Sequence, residues 1–144
     1  YRGGVVPTAP RGPVDEADAA DYAAYHAAMD GALGYPLHEA LRAVWLTVAR
    51  GNEYVDRQAP WKLAKDPTLA GALDVALGTL IRQLARQCVA LQPFMPGKAQ
   101  VLWKQLGGPG AVADQRFAEF DALDPAGWRV TKGDPLFPKP ERTS

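Results

Sequence analysis

The chain is poor in the residues that build reactive sites. It has one cysteine, Cys88, and two histidines, His26 and His38, among 144 residues. A single thiol excludes an intramolecular disulfide and a thiolate metal cluster, and two histidines so far apart give no metal-ligand spacing. The simplest compartment for such a chain is a reducing, cytoplasmic one. Net charge is absent too, because 16 basic side chains balance 16 acidic ones. No overall field draws in nucleic acid or an anionic membrane, which argues against nonspecific, charge-driven binding. A specific contact made by a local patch is still allowed. No run approaches the roughly 20 apolar residues of a membrane span. No signal-peptide pattern follows Tyr1-Arg2, and the sequence reads as a piece of something longer. Before Gly110 there is no period-2 alternation of strand length, which leaves helices as the framework.

What is present suffices for one domain with a core: 47% of residues are hydrophobic and 22% charged. The stretch YRGGVVPTAPRGPV, positions 1–14, holds three prolines and three glycines, so it reads as an extended linker. An alanine-rich helix is expected over 15–33, with Asp15 and Glu16 in its first turn and Tyr22, Tyr25 and Met29 on one face. Gly34 and Pro36 break it and begin a second helix, whose stripe is Leu37, Leu41, Val44, Trp45 and Val48, continued by Asn52 and Val55. A third helix runs from Pro67 or Thr68 to Leu91 on the stripe Leu69, Leu73, Leu77, Leu80, Leu84, Cys88 and Leu91. Pro93 and Pro96 end it. A shorter helix over 98–106 stops at Gly107, with one more short helical candidate over 114–122. Trp128-Arg129-Val130 reads as a short extended piece. The expected architecture is all-α: a bundle of four to five helices over 15–122, an N-terminal arm over 1–14, and a tail over 123–144 packing back on the bundle.

No catalytic constellation stands out. Asp15, Glu16, Asp18 and Asp21 read as a solvated first-helix face rather than a carboxylate pair, and Cys88 as a buried structural thiol. Gly107, Gly108 and Gly110 are interrupted by Pro109 and follow a helix, which is not a phosphate loop. On the third helix Arg82 and Arg86 share a face with Gln83 and Gln87. That face reads as solvated and partly neutralised, by Asp74 or another helix, with a phosphate-facing strip as the alternative.

The stretch NEYVDRQAPWKLAK, positions 52–65, poses the sharpest question. Pro60 pushes Ala59 out of the helical region, so the second helix ends near Gln58 and Trp61 falls just beyond the stop. Two readings are open. Trp61 caps the bundle on Leu63, or it offers a flat ring to an unpaired nucleobase, flanked by Arg57, Gln58, Lys62 and Lys65.

That block resembles the anticodon-binding helical domain of the methionyl-tRNA synthetase family, which carries an Asn-x-Tyr, then Pro-Trp, then a Lys. YRGGVVP resembles the family's junction out of its catalytic half. LQPFMPGKA, Leu102-Trp103 with Leu106-Gly107, and the closing LFPKPE resemble later family segments, although Pro140 replaces the usual aliphatic residue. The resemblance spans nearly all of the chain. It implies recognition of tRNA bearing the methionine anticodon, with Trp61 stacking on the first anticodon base and Pro60 shaping the pocket. Asn52, Arg57 and Gln58 are then anticodon-side candidates, and Lys62 and Lys65 RNA-backbone contacts. Asn52 has a second reading, as a buried amide tying helix ends together.

By the same resemblance the partner within the polypeptide is a Rossmann-type catalytic domain, to which ATP and methionine belong; no cofactor is expected here. The family's H-x-G-H and K-M-S-K-S elements are absent, as are the Asn and Arg readers of its preceding helix. Two other readings remain: a helical interaction or scaffold module that has lost RNA recognition, and the equivalent domain of another class I synthetase.

Overall fold

The computed structural model describes residues 2–31, 34, 36–138 and 140. Among them the architecture is helical, with no strand longer than an isolated bridge. Helix α1 (Pro13–Met29) starts earlier than the sequence pattern predicts. Pro13 supplies a preset first turn, and the Asp15 carboxylate accepts the Gly12 N–H at 3.0 Å. Asp30 and Gly31 (φ 82°) close it, four residues short of the expected end; positions 32 and 33 lie outside the described residues. Helix α2 (Leu37–Gln58) stops where Ala59 turns left-handed, and the single turn α3 (Pro60–Leu63) follows at once. A 3-10 turn, Pro67–Leu69, leads into α4 (Ala70–Leu91), and α5 (Pro96–Leu106) ends at Gly107 in a left-handed cap, φ 84°. The helix expected over 114–122 is instead two 3-10 turns, Val112–Asp114 and Phe117–Ala122.

The extended arm is paired with the tail. Val6 N–H donates to Trp128 O at 2.8 Å, Gly127 N–H to Val6 O at 2.9 Å, and Val130 N–H to Gly4 O at 2.8 Å. Arm and tail therefore pair with each other, bridged at Val5 and Arg129, and Thr131 N–H ties the tail to Gln105 O of α5. The extended reading of Trp128-Arg129-Val130 corresponds to this pairing.

Helix α4 is the central element, touching each of α1, α2, α3 and α5. Tyr22 and Tyr25 of α1, Val44 of α2, Cys88 of α4, Trp103 of α5 and Phe120 form the main core. Trp103 is fully buried, edge-on to Trp128, with its indole N–H on Pro109 O at 3.1 Å. Burial pushes the Cys88 thiol up to about 12, in keeping with an inert packing residue.

Two sequence expectations fail in an instructive way. Arg82 and Arg86 are neither solvated nor a phosphate-facing strip; both are buried, and so are Gln83 and Gln87. The acidic face of α1 is solvated only in part: Glu16 is exposed as expected, but Asp15 and Asp18 are buried and Asp21 is half-buried. The two faces meet. Arg82 clasps Asp15 through Nε at 2.7 Å and Nη2 at 2.9 Å, and Arg86 reaches the same carboxylate at 3.3 Å. Arg50 of α2 pairs with Asp18 and, at 2.6 Å, with Asp21. Asp74 pairs with Arg2 at 2.7 Å rather than with Arg82. A helix enclosed on opposite sides has its polar stripe covered too, and buried charges must then find partners. In exchange Leu77, Leu80 and Leu84 of the predicted core stripe are only half-buried and Leu69 is exposed. On α2 the small residues Ala40, Ala43 and Gly51 take the interior, which leaves Leu37 and Trp45 exposed.

Candidate nucleic-acid interface

The site is built at the junction of α2, α3 and α4. The N–H of Ala59 closes α2 on Val55 O at 2.9 Å, and Ala59 itself takes φ 45°, ψ 62°. That left-handed residue redirects the chain, and Pro60, with its fixed φ, opens α3. The far end is held by Asp66, whose carboxylate accepts from Thr68 N–H at 2.9 Å and Thr68 Oγ1 at 2.7 Å. These two bonds to the ionised form hold the Asp66 carboxyl below its usual range. The Asp-Pro-Thr sequence is a helix-start signal legible without a structure, although its role in bracketing α3 is not.

Leu63 turns inward onto a small apolar cluster of Val14, Tyr54 and Ala76, with Leu80 beside it. Trp61, two residues earlier on the same single turn, is 52% exposed. Lys62 and Lys65 are exposed, and neither they nor Arg57 has a carboxylate partner among the described residues. Arg57 lies over the Tyr54 ring at 5.9 Å, on the α2 side of the bend. Pro60 and Gln58 are half-buried.

Asn52 is exposed, so it is not a buried amide. It sits on the rim of a shallow groove between α2 and α4, lined also by Val48, Val55, Leu80, Gln83 and Leu84. Gly51 lets α4 come close there, since a Cβ would stand 2.4 Å from Gln83 Oε1. Gln83 is fixed in turn by its Nε2, which donates to Asp18 at 2.8 Å and to Thr47 O at 2.9 Å. The arrangement is a half-exposed ring on a bracketed turn, with neighbours in sequence, Lys62 and Lys65, that have no carboxylate partner among the described residues. It is suited to stacking an unpaired planar group and holding its phosphates.

Residues 14–143 match a model of the anticodon binding domain of methionyl tRNA ligase. The chain belongs to this family. Among curated relatives, the methionine–tRNA ligase of Deinococcus radiodurans is 38% identical over 146 residues, covering 98% of this chain and 21% of the relative. That of Streptomyces coelicolor is 43% identical over 108 residues, covering 69% of this chain and 20% of the relative. In the solved apo methionyl-tRNA synthetase of Mycobacterium tuberculosis the same fold recurs with a TM-score of 0.79 and 24% identity, over 96% of this chain and 28% of that one. The chain thus spans between 15% and 21% of the length of the curated relatives it matches. The anticodon-binding fold is helical, as the hydrophobic periodicity predicts, and among the described residues no helix is long and apolar enough to cross a membrane.

Proposed function

We propose that this chain recognises the anticodon of methionine tRNA as the non-catalytic part of a cytoplasmic methionine–tRNA ligase. One observation carries the reading: Trp61 is held half in water on a turn fixed at both ends, in a chain of the anticodon-binding family. The outer face of the indole takes the first anticodon base, Pro60 and Gln58 wall the pocket, and Asn52 and Arg57 supply polar contacts from α2. Lys62 and Lys65 hold the RNA backbone. Stacking of one base on an aromatic ring contributes about 1–3 kcal/mol, and the cations add a salt-dependent share. ATP and methionine are bound by the catalytic domain of the same polypeptide, and this stretch requires no cofactor.

In the full-length ligase, Trp61→Ala is expected to raise the KM for tRNA while leaving methionine-dependent ATP–pyrophosphate exchange nearly unchanged. Equal loss in both assays would show that Trp61 serves folding instead. The zero net charge favours a second reading, a helical interaction module without RNA recognition. An isolated chain that binds cognate and scrambled anticodon stem-loops equally would support it.

A further inference from the structure

Arg82 spends all three of its guanidinium nitrogens on partners in α1 and the arm, and no part of the anticodon-recognition reading uses it. It is 3% exposed. Its Nε and Nη2 clasp Asp15, its Nη1 donates to Ala9 O at 2.9 Å, and its Nη2 also reaches Pro10 O at 3.1 Å. One guanidinium at the middle of α4 therefore holds both the first turn of α1 and the backbone of the arm. One turn earlier Gly78 lets the arm lie directly on α4: a Cβ there would meet Ala9 Cβ at 2.6 Å and Pro7 O at 2.9 Å. On its other edge the arm is paired with Gly127, Trp128 and Val130.

The same region connects to the turn that carries Trp61. Val14, where the arm runs into the first turn of α1, packs in one cluster with Tyr54, Ala76 and Leu63. A continuous path of packed groups thus runs from α3 through Val14 and Asp15 to Arg82 and the arm carbonyls. The arm lies ahead of the matched family region, which begins at residue 14, yet nearly the whole chain, 98% of it, aligns with the Deinococcus radiodurans ligase.

We infer that Arg82 is a positioning residue that fixes the arm, and with it the part of the ligase joined through the arm, to the frame presenting Trp61. Anticodon engagement then reaches the aminoacylation step as a fixed geometry instead of across a flexible tether. The inference rests on the anticodon-recognition reading, because it needs a ligase for the arm to serve. Losing the clasp loosens the arm on its α4 side, while its pairing with the tail remains and no group of Trp61 is altered. The expected signature is a split between binding and turnover.

The test uses the full-length ligase with Arg82→Met and, separately, Gly78→Ala, which displaces the arm while leaving every charge in place. Three quantities are measured: affinity for a cognate anticodon stem-loop, methionine-dependent ATP–pyrophosphate exchange, and kcat/KM for aminoacylation of whole tRNA. Stem-loop affinity and exchange are expected to stay within about twofold while aminoacylation falls by about tenfold, the size of an ordinary coupling between sites. Gly78→Ala reproduces the split even if Arg82→Met does not fold. Loss of stem-loop affinity in parallel with aminoacylation would reduce Arg82 to a packing role and overturn the proposal, as would unchanged aminoacylation in Gly78→Ala. A wild-type enzyme that ignores the stem-loop's anticodon would instead overturn the functional reading on which the proposal stands.

Discussion

An indole with half its surface already in water gives up less packing than a buried one when it is removed. Trp61→Ala should therefore cost about 1–2 kcal/mol of folding stability, read as a modest fall in the urea midpoint. Trp103 is the internal control. It is fully buried against Trp128 and Gly108, and Trp103→Ala should cost about 3–5 kcal/mol in the same titration. The two tryptophans differ in a way the sequence partly shows: Trp61 follows a proline stop, whereas Trp103 lies within a helix between Leu102 and Leu106. Trp45 was not legible. Helical periodicity places it on the stripe with Val44, but a neighbouring step of one residue turns a side chain by about 100°, and the fold leaves Trp45 48% exposed.

At the level of elements, helix ends were easier to read than helix faces. Pro36, Pro60 and Gly107 act in chain order where the pattern puts them, because proline and glycine limit the backbone whatever surrounds it, whereas Pro96, read as a stop for the preceding helix, opens α5 two residues before the expected start. The faces of α4 depended on neighbours that a periodicity cannot supply. Asp15 meets Arg82 across 67 residues of chain, so the partner that makes the buried arginine tolerable is invisible locally. The α2–α3 bend makes its own prediction. Ala59 adopts φ 45°, a region that penalises a Cβ, so Ala59→Gly should raise stability by roughly 0.5–1 kcal/mol in thermal or urea unfolding. The accompanying cost is a looser mount for Trp61, seen as weaker stem-loop binding in a more stable protein.

For the whole molecule, the charges buried between α1, α2 and α4 set the acid stability. Burial opposes ionisation of Asp15, but Arg82, the Gly12 N–H and Arg86 together outweigh it and hold the carboxyl below its ordinary range. A lowered folded-state value contributes stability that is present above the unfolded-state value of about 3.9 and is lost as the pH falls through the folded one. For Asp18 burial wins over Gln83 and Arg50 and the value is raised, so acidification of that group has the opposite sign and offsets part of the loss. Asp15→Asn should thus lose about 3–5 kcal/mol near neutral pH, from the uncompensated Arg82, and show a flatter fall in stability below about pH 4. Urea titrations between neutral pH and pH 2 check both signs.

The account as a whole depends on the outward face of one ring in this frame. The most direct measurement is the affinity of the chain for a stem-loop carrying the CAU anticodon and for a scrambled one, with Trp61→Ala and Trp61→Phe compared. Preference for CAU, loss of about 1–3 kcal/mol of binding in Trp61→Ala, and retention of most of it in Trp61→Phe are the predicted results. Affinity for CAU that is indifferent to the residue at this position would contradict the account.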